Sequence, residues 1–198
     1  LKNVIIGFEA GFSTTLGNYN IFLGTTSGRA NTSGSSNVFV GIGSGLNNTT
    51  GSNNLFLGTS SGLSNSVGSW NTFLGFESGY ASNSDYNSFV GYQSGRSNTV
   101  GQFNSFFGYQ SGYSNTLGSN NVFVGYMAGY TNSTANNNIF VGNEAGRYNN
   151  TGTNNVFMGY FAGRANTVGG NNVFMGNQAG VANTTGTNNV FLGNSSGF

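Results

Sequence analysis

The 198-residue sequence contains no proline, no cysteine and no histidine, and only 5% of its residues are charged. Without cysteine, the chain has neither disulfides nor thiolate metal sites. Without histidine, no nucleophile can be activated by an imidazole base. The net charge of +1, from five basic and four acidic residues, provides no basic stripe to neutralise phosphates. We therefore expect no nucleic-acid partner.

Glycine and aromatic residues are abundant instead, and they recur at a fixed period. There are 35 Gly, and 15% of the residues are aromatic. Each repeat unit is anchored on the Asn that precedes the strand-like run, and the anchors are Asn3, Asn20, Asn37, Asn54, Asn71, Asn87, Asn104, Asn121, Asn138, Asn155, Asn172 and Asn189. Every step is 17 residues except the 16-residue step from Asn71 to Asn87. The chain therefore holds eleven full units and part of a twelfth.

The consensus N-x-F-x-G-x-x-[A/S]-G-x-x-N-T-x-G-x-N predicts local structure, with the anchor Asn as position 1. Repeated Gly and the lack of a 3.6-residue period exclude a helix. Positions 2 to 4 read as a short strand ended by Gly, and the Asn/Thr/Gly segment has turn chemistry. A weaker extended stretch through position 8 completes the expected coil. Position 15 is Gly except at Asp85 and Ala135.

This pattern predicts an all-β fold, a β-solenoid (parallel β-roll) of about 12 coils with 17 residues each. Residues 1–198 form one tandem-repeat domain. Stacking places each residue above its copy, so Asn and Phe form ladders along the rod. The Asn ladder includes Asn20, Asn37, Asn54, Asn71 and Asn121, and the Phe ladder comprises Phe22, Phe39, Phe56, Phe73, Phe89, Phe106, Phe123, Phe140, Phe157, Phe174 and Phe191.

Solenoid arrays normally end in capping units, and neither Leu1 and Lys2 nor the region around Phe198 resembles a cap. We expect the chain to be an excerpt of a longer array. No apolar run reaches 18 residues, so no membrane insertion is expected in this segment.

The strand is apolar on both faces. Position 4 is apolar in every unit, and position 2 is apolar in nine of twelve, the exceptions being Thr72, Ser88 and Ser105. A strand with one face in water should alternate apolar and polar residues. One face fills the coil, and the other is expected to pack against further copies as a homo-oligomer, with a trimer favoured and a filament as the alternative. The competing interpretation is that this face packs under a side loop of its own coil.

The repeat resembles the head repeats of trimeric autotransporter adhesins and the Asn/Gly-rich repeats of bacterial surface and tail-fibre-like proteins. The resemblance is carried along the whole chain by units such as Asn121-Val122-Phe123-Val124-Gly125-Tyr126-Met127-Ala128-Gly129. It implies trimers of parallel β-rolls that bind host or matrix surfaces, and hence an extracellular or cell-surface location.

The acidic residues do not indicate catalysis. Glu9, Glu77 and Glu144 share position 7 but lie four coils apart, about 19 Å at strand spacing, whereas a glycosidase pair needs about 5–10 Å. Calcium β-rolls require an Asp in each repeat, and Asp85 is the only Asp. We expect no enzyme activity, no cofactor and no metal.

Two further sets of residues are candidate surface sites. Position 10 carries Arg29, Arg96, Arg147 and Arg164 or Tyr80, Tyr113 and Tyr130, which is either a contact surface or a solvated turn. Position 6 carries Tyr92, Tyr109, Tyr126 and Tyr160. Two interpretations of these rings are open: they stack on bound sugars, or they cover the nearby Gly. Glycosylation sequons occur by chance or by function at Asn31, Asn47, Asn48, Asn132, Asn149, Asn183 and Asn194.

The sequence therefore favours a structural or adhesive segment of an extracellular fibre, with itself and possible surface glycans or matrix as partners. An ice-binding solenoid is one alternative, because Thr recurs at positions 13 and 14, although Val67, Val100, Leu117 and Val168 interrupt that column. A carbohydrate-binding tail-fibre region is the other.

Overall fold

A computed structural model describes residues 2–198 as one stack of coils, each of which contributes a single three-residue strand. All twelve strands form one parallel sheet in chain order. The strands are β1 (Val4–Ile6), β2 (Ile21–Leu23), β3 (Val38–Val40), β4 (Leu55–Leu57), β5 (Thr72–Leu74), β6 (Ser88–Val90), β7 (Ser105–Phe107), β8 (Val122–Val124), β9 (Ile139–Val141), β10 (Val156–Met158), β11 (Val173–Met175) and β12 (Val190–Leu192). The predicted all-β parallel solenoid is confirmed.

The register is one repeat per strand. Phe22 pairs with Phe39, and Phe73 pairs with Phe89 across the shortened unit. Within residues 2–198, no helix is present that is long and apolar enough to cross a membrane.

The predicted second extended stretch through position 8 is absent from residues 2–198, where positions 6 to 11 form turns. In the seventh unit, Gly108, Gln110 and Gly112 have φ of 138°, 50° and 61°, so alternate residues turn the chain. The turn backbone still bonds to its neighbours, since Gly112 N donates to Ala128 O at 3.0 Å and Gln110 N donates to Tyr92 O at 2.9 Å. Inter-coil hydrogen bonding thus extends beyond the three strand residues.

The Phe ladder forms the core. Ten Phe from Phe22 to Phe174 are 0% exposed, and Phe191 packs against them with partial exposure. Adjacent rings stack with centroids 4.7 to 5.1 Å apart. Stacked aromatic pairs of this kind contribute stabilisation beyond that of the apolar area that they bury. The small residue at position 8 is also buried: in Ala units such as Ala128 it packs in the Phe core, and in Ser units its hydroxyl donates to the backbone, as from Ser111 Oγ to Phe123 O at 3.0 Å.

The shortened unit is aligned differently from the sequence prediction. Asn71 Nδ2 donates to Ser84 O at 2.7 Å, as Asn54 Nδ2 donates to Gly68 O at 2.8 Å. Ser84 therefore occupies position 15, and the assignment of Asp85 to that position was wrong. Asp85 occupies position 16, where its Oδ1 accepts from Ser69 N at 2.7 Å. The missing residue falls at position 14, which is an exposed turn position in the neighbouring units.

Candidate interaction surface

The anchor Asn ladder is present and buried. The five predicted members, Asn20, Asn37, Asn54, Asn71 and Asn121, are 0 to 2% exposed. Asn37 shows the pattern: its N donates to Asn20 Oδ1 at 2.9 Å and its Nδ2 donates to Gly51 O at 2.8 Å. The Asn37 side chain in turn accepts from Asn54 N of the next coil at 3.0 Å, so each side chain bonds to the coil after it and to the turn that closes its own coil, which satisfies the buried amide.

A second Asn ladder runs along position 12, where the sequence predicts only a turn. Asn48 Nδ2 donates to Asn31 Oδ1 at 2.8 Å and to Gly51 O at 3.0 Å. The same inter-coil bond recurs at Asn65, Asn115, Asn132, Asn149, Asn166 and Asn183. The signal was available in the sequence, because Asn recurs at position 12 as regularly as a buried residue does.

Most of the sequon Asn residues belong to this second ladder, so their burial determines whether they can be glycosylated. Asn31, Asn48, Asn132 and Asn149 are 0% exposed, and Asn183 is partly buried with its amide bonded to Asn166. A buried, hydrogen-bonded amide has no room for a glycan, so glycosylation at the four fully buried positions is incompatible with the folded stack. At the exposed Asn47 and Asn194 it stays a prediction.

The second ladder is interrupted once, in the shortened unit. Ser82 stands where neighbouring coils have Asn, so the buried Oδ1 of Asn65 has no hydrogen-bond partner. On the other side of the break, Asn98 Nδ2 donates to Ser82 Oγ at 3.3 Å and to Ser84 Oγ at 3.2 Å. The two serine hydroxyls thus replace the Asn oxygen that would accept from Asn98. They do not replace the Asn amide that would donate to Asn65 Oδ1.

The four Arg at position 10 are engaged within the chain. Arg29 and Arg96 each bind a Glu of the preceding coil, with Nε to Oε2 distances of 2.7 Å to Glu9 and Glu77. Glu144 binds both remaining arginines, Arg147 of its own coil and Arg164 of the next.

Aromatic rings lie beside these guanidinium groups. Arg96 lies 4.9 Å from the ring centroid of Tyr80 and 5.8 Å from that of Tyr113, and Arg147 lies 5.9 Å from that of Tyr130. The position 10 residues predicted as a contact surface therefore bind one another between coils. Contact with an external partner stays a prediction for them.

Ion pairing shifts the pKa of Glu77, Arg96 and Glu144. The hydrogen bond from Arg96 lowers the pKa of Glu77, and the reciprocal bond raises the pKa of Arg96. Burial by itself would raise the pKa of Glu144, but hydrogen bonds from Arg164 and Arg147 lower it on balance. Within residues 2–198, no group of three potential metal ligands occurs.

The Thr column at position 13 is also used internally. Thr32 Oγ1 donates to Thr49 O at 3.0 Å, and Thr99 Oγ1 donates to Thr116 O at 2.9 Å. An ice-binding rank needs outward hydroxyls, and these are bonded to the next coil.

An extended apolar surface lies on the outer side of the sheet. Positions 17, 2, 4 and 6 are exposed or half-buried, whereas positions 1 and 3 between them are buried in all but the first and last units. We call positions 17, 2, 4 and 6 along the rod the outer strand face. Ile139 and Met158 on this face are 40% and 41% exposed. Apart from Lys2 at one end, the described residues of this face carry no charge.

Exposed aromatic rings form the two edges of the outer strand face at β5, β6 and β7. Trp70, Tyr86 and Phe103 at position 17 stack with centroids 5.1 Å apart. Along the opposite edge, position 6 carries a second stack, whose centroids are 5.2 to 5.3 Å apart and which consists of Phe76, Tyr92, Tyr109 and Tyr126. We call these seven residues the aromatic band. The three hydroxyl residues at position 2, Thr72, Ser88 and Ser105, lie between its two edges.

Comparison with protein-family models, with curated proteins and with solved structures finds no match to this chain.

Proposed function

We propose that this chain is a structural, adhesive segment of an extracellular or cell-surface fibre, built from several parallel copies with a trimer favoured. The observation that carries the proposal is the outer strand face. Its central positions 2 and 4 are apolar along the sheet except at Thr72, Ser88 and Ser105, and its edge positions 17 and 6 carry both aromatic and polar residues. Large exposed apolar patches mark interaction sites. Its shape suits a long partner with the same repeat better than it suits a small molecule.

The construction of the rod supports a mechanical role. Every coil is joined to the next by strand hydrogen bonds, by turn hydrogen bonds such as Ser114 N to Tyr130 O at 3.0 Å, and by the anchor Asn ladder. The second Asn ladder adds to these bonds on both sides of its break at Ser82. Twelve strands at the parallel spacing of about 4.8 Å make a rod about 55 Å long. Identical contacts at each level allow such a rod to extend without changing its cross-section, which is what a spacer or stalk requires.

The disposition of charge also favours a structural role over a catalytic one. The carboxylates of Glu9, Glu77 and Glu144 are neutralised by Arg partners. A general acid or base must instead reach a substrate proton. An adhesive role would use the neutral Asn, Thr and Tyr side chains of the turns, with surface glycans or matrix as the proposed partners.

Two measurements test this function. Light scattering on the 20.5 kDa chain gives the mass of the assembly in solution, and a value near three times that mass is expected. Protease treatment of intact cells that produce the protein, followed by immunoblotting, reports whether the segment lies outside the cell. A signal that resists protease until the cells are lysed would contradict an extracellular fibre.

A further inference from the structure

We propose that copies of this chain associate through their outer strand faces with rod axes parallel and coils level, so that position 17 of one copy meets position 6 of the next. This inference rests on the proposed function and specifies the partner, the surface and the orientation.

The size of the surface suits a second copy. Twelve strands about 4.8 Å apart, and six residue steps of about 3.3 Å across them, give a face of about 55 by 20 Å. That is about 1,100 Å² per copy, above the roughly 800 Å² per partner of a standard interface. The near absence of charge means that self-association would bury no unpaired ion.

Symmetry then distinguishes two orientations. A rotation axis parallel to the rod exchanges the edges of the face, so position 17 meets position 6 and position 2 meets position 4 at the same level. A twofold axis perpendicular to the rod makes position 17 meet position 17 of a different coil. Closed twofold and threefold assemblies about a parallel axis both give the first pairing at the edges.

The aromatic band is compatible with the parallel pairing. A perpendicular twofold axis through β6 would also bring aromatic edges together, so the residues between the edges distinguish the two orientations. The strands β5, β6 and β7 carry an aromatic residue at both edges: Trp70 with Phe76, Tyr86 with Tyr92, and Phe103 with Tyr109. In level, parallel copies each aromatic edge would therefore meet an aromatic edge. Only Tyr126 extends the band beyond these three strands.

The residues between the edges match by size. Phe107 is the largest residue at position 4, and position 2 of the same strand is the small Ser105. Parallel level packing places Phe107 of one copy opposite Ser105 of the next, and large residues facing small ones allow two layers to interdigitate. Thr72 opposite Leu74 and Ser88 opposite Val90 repeat the pairing.

The stacking of the band argues against a glycan as its occupant. Tyr86 has Trp70 on one side and Phe103 on the other, and Tyr92 likewise lies between Phe76 and Tyr109. Sugar rings bind to the open faces of aromatic rings, and inner members of these stacks share both faces with their neighbours. What the stacks offer is a continuous ridge for another packed surface.

Disulfide trapping tests the orientation, because the native chain has no cysteine. Both Asn154→Cys, at position 17 beside β10, and Tyr160→Cys, at position 6 beside β10, replace exposed residues. Chains with one or the other substitution are mixed, denatured, refolded together and oxidised. The control pair is Tyr160→Cys with Thr151→Cys, which is an exposed turn position of the preceding repeat. We expect the yield of the mixed disulfide between Asn154→Cys and Tyr160→Cys to be at least tenfold higher than the yield from the control pair.

A different pair of cysteine substitutions tests the antiparallel arrangement. A perpendicular twofold axis through β6 would place Asn154 opposite Tyr19, so a dominant disulfide between Asn154→Cys and Tyr19→Cys would overturn the parallel arrangement.

Trp70, the single Trp, is 54% exposed in one chain and should shift its emission to shorter wavelength as the chains associate. An oligomeric mass with Trp70 still solvent-exposed would place the interface elsewhere and leave the fibre proposal standing. A monomeric mass at high concentration would overturn the association, while protease accessibility on intact cells would still test the surface location.

Discussion

Gly129 lies so close to the ring of Phe123 that a Cβ atom built on Gly129 would be 2.5 Å from ring carbon Cδ2. The same contact recurs at position 9 of other coils, for instance between Gly112 and Phe106. Gly129 also has φ of 60°, where L side chains are strained. The invariant Gly and the Phe ladder are therefore one packing unit, in which the backbone of the turn covers the ring.

Gly129→Ala is expected to destabilise the coils around it by about 3–5 kcal/mol, as left-handed strain and overpacking add. Gly43→Ala is the matched control, since Gly43 has a similar φ of 64° but its added Cβ would meet nothing closer than 3.8 Å. That control should cost about 1–2 kcal/mol, the strain alone. Urea denaturation followed by circular dichroism measures both, and equal losses would refute the packing explanation.

Phe123→Ala should cost about 3–5 kcal/mol, the usual cost of emptying a core aromatic site. The neighbouring Val122 is 37% exposed in the single chain, so Val122→Ala should have a much smaller effect on the unfolding of one chain. Thermal melting at a concentration where the chain is monomeric is the measurement. An unchanged curve for Phe123→Ala would contradict a stabilising Phe ladder.

The period was sufficient to predict the coil, the Phe ladder and the anchor ladder, because stacking places each consensus residue on its own copy. The position 12 ladder was missed because Asn beside Thr and Gly also has turn chemistry, and local preference cannot distinguish an outward from an inward amide. The position 8 strand was predicted wrongly because no local signal reveals that Gln110 and its equivalents adopt a positive φ. The alignment of Ser84 depended on the hydrogen bond from Asn71 that closes its own coil, which no local pattern contains.

Repairing the interrupted ladder should stabilise the array. Ser82→Asn combined with Ser84→Gly restores the pair found in other coils and gives the unpaired Asn65 Oδ1 a donor. We expect a gain of about 1 kcal/mol, the net value of a typical hydrogen bond. Ser84→Gly alone removes the bond from Ser84 Oγ to Gly101 O and should destabilise. Opposite signs for the double and single variants in urea denaturation are the test, and a loss in both would mean that Asn does not fit at position 82.

Acid should weaken the rod through the Glu–Arg pairs. The pKa of Glu77 and of Glu144 is lowered in the folded chain from the ordinary value of 4.5. Such a group contributes stability above its unfolded pKa and loses that contribution as the pH falls through its folded pKa. The melting temperature should therefore decline as the pH is lowered below 4.5. The Glu77→Gln, Glu144→Gln variant should show a shallower decline, and a parallel pH profile would contradict a role for these pairs.

Expression in a glycosylating host separates the sequons by burial. Folded, secreted protein should carry glycans at Asn47 and Asn194 only, because the amides of Asn31, Asn48, Asn132 and Asn149 are fully buried and the partly buried amide of Asn183 is bonded to Asn166. Mass spectrometry of glycopeptides gives the occupancy at each position. A folded product with substantial occupancy at Asn48 would show that the position 12 amides are accessible.

The shortened unit reveals where the repeat tolerates a change of length. Its missing residue falls at the exposed position 14, while the Phe ladder and the anchor Asn ladder pass through without a gap. Evolution therefore has two separate ways to vary this molecule. Whole units can be duplicated or lost to set the reach of the rod, and single residues can be gained or lost at one corner. That corner is also where a protein engineer would insert an epitope or a reactive tag, one per turn and evenly spaced along the shaft.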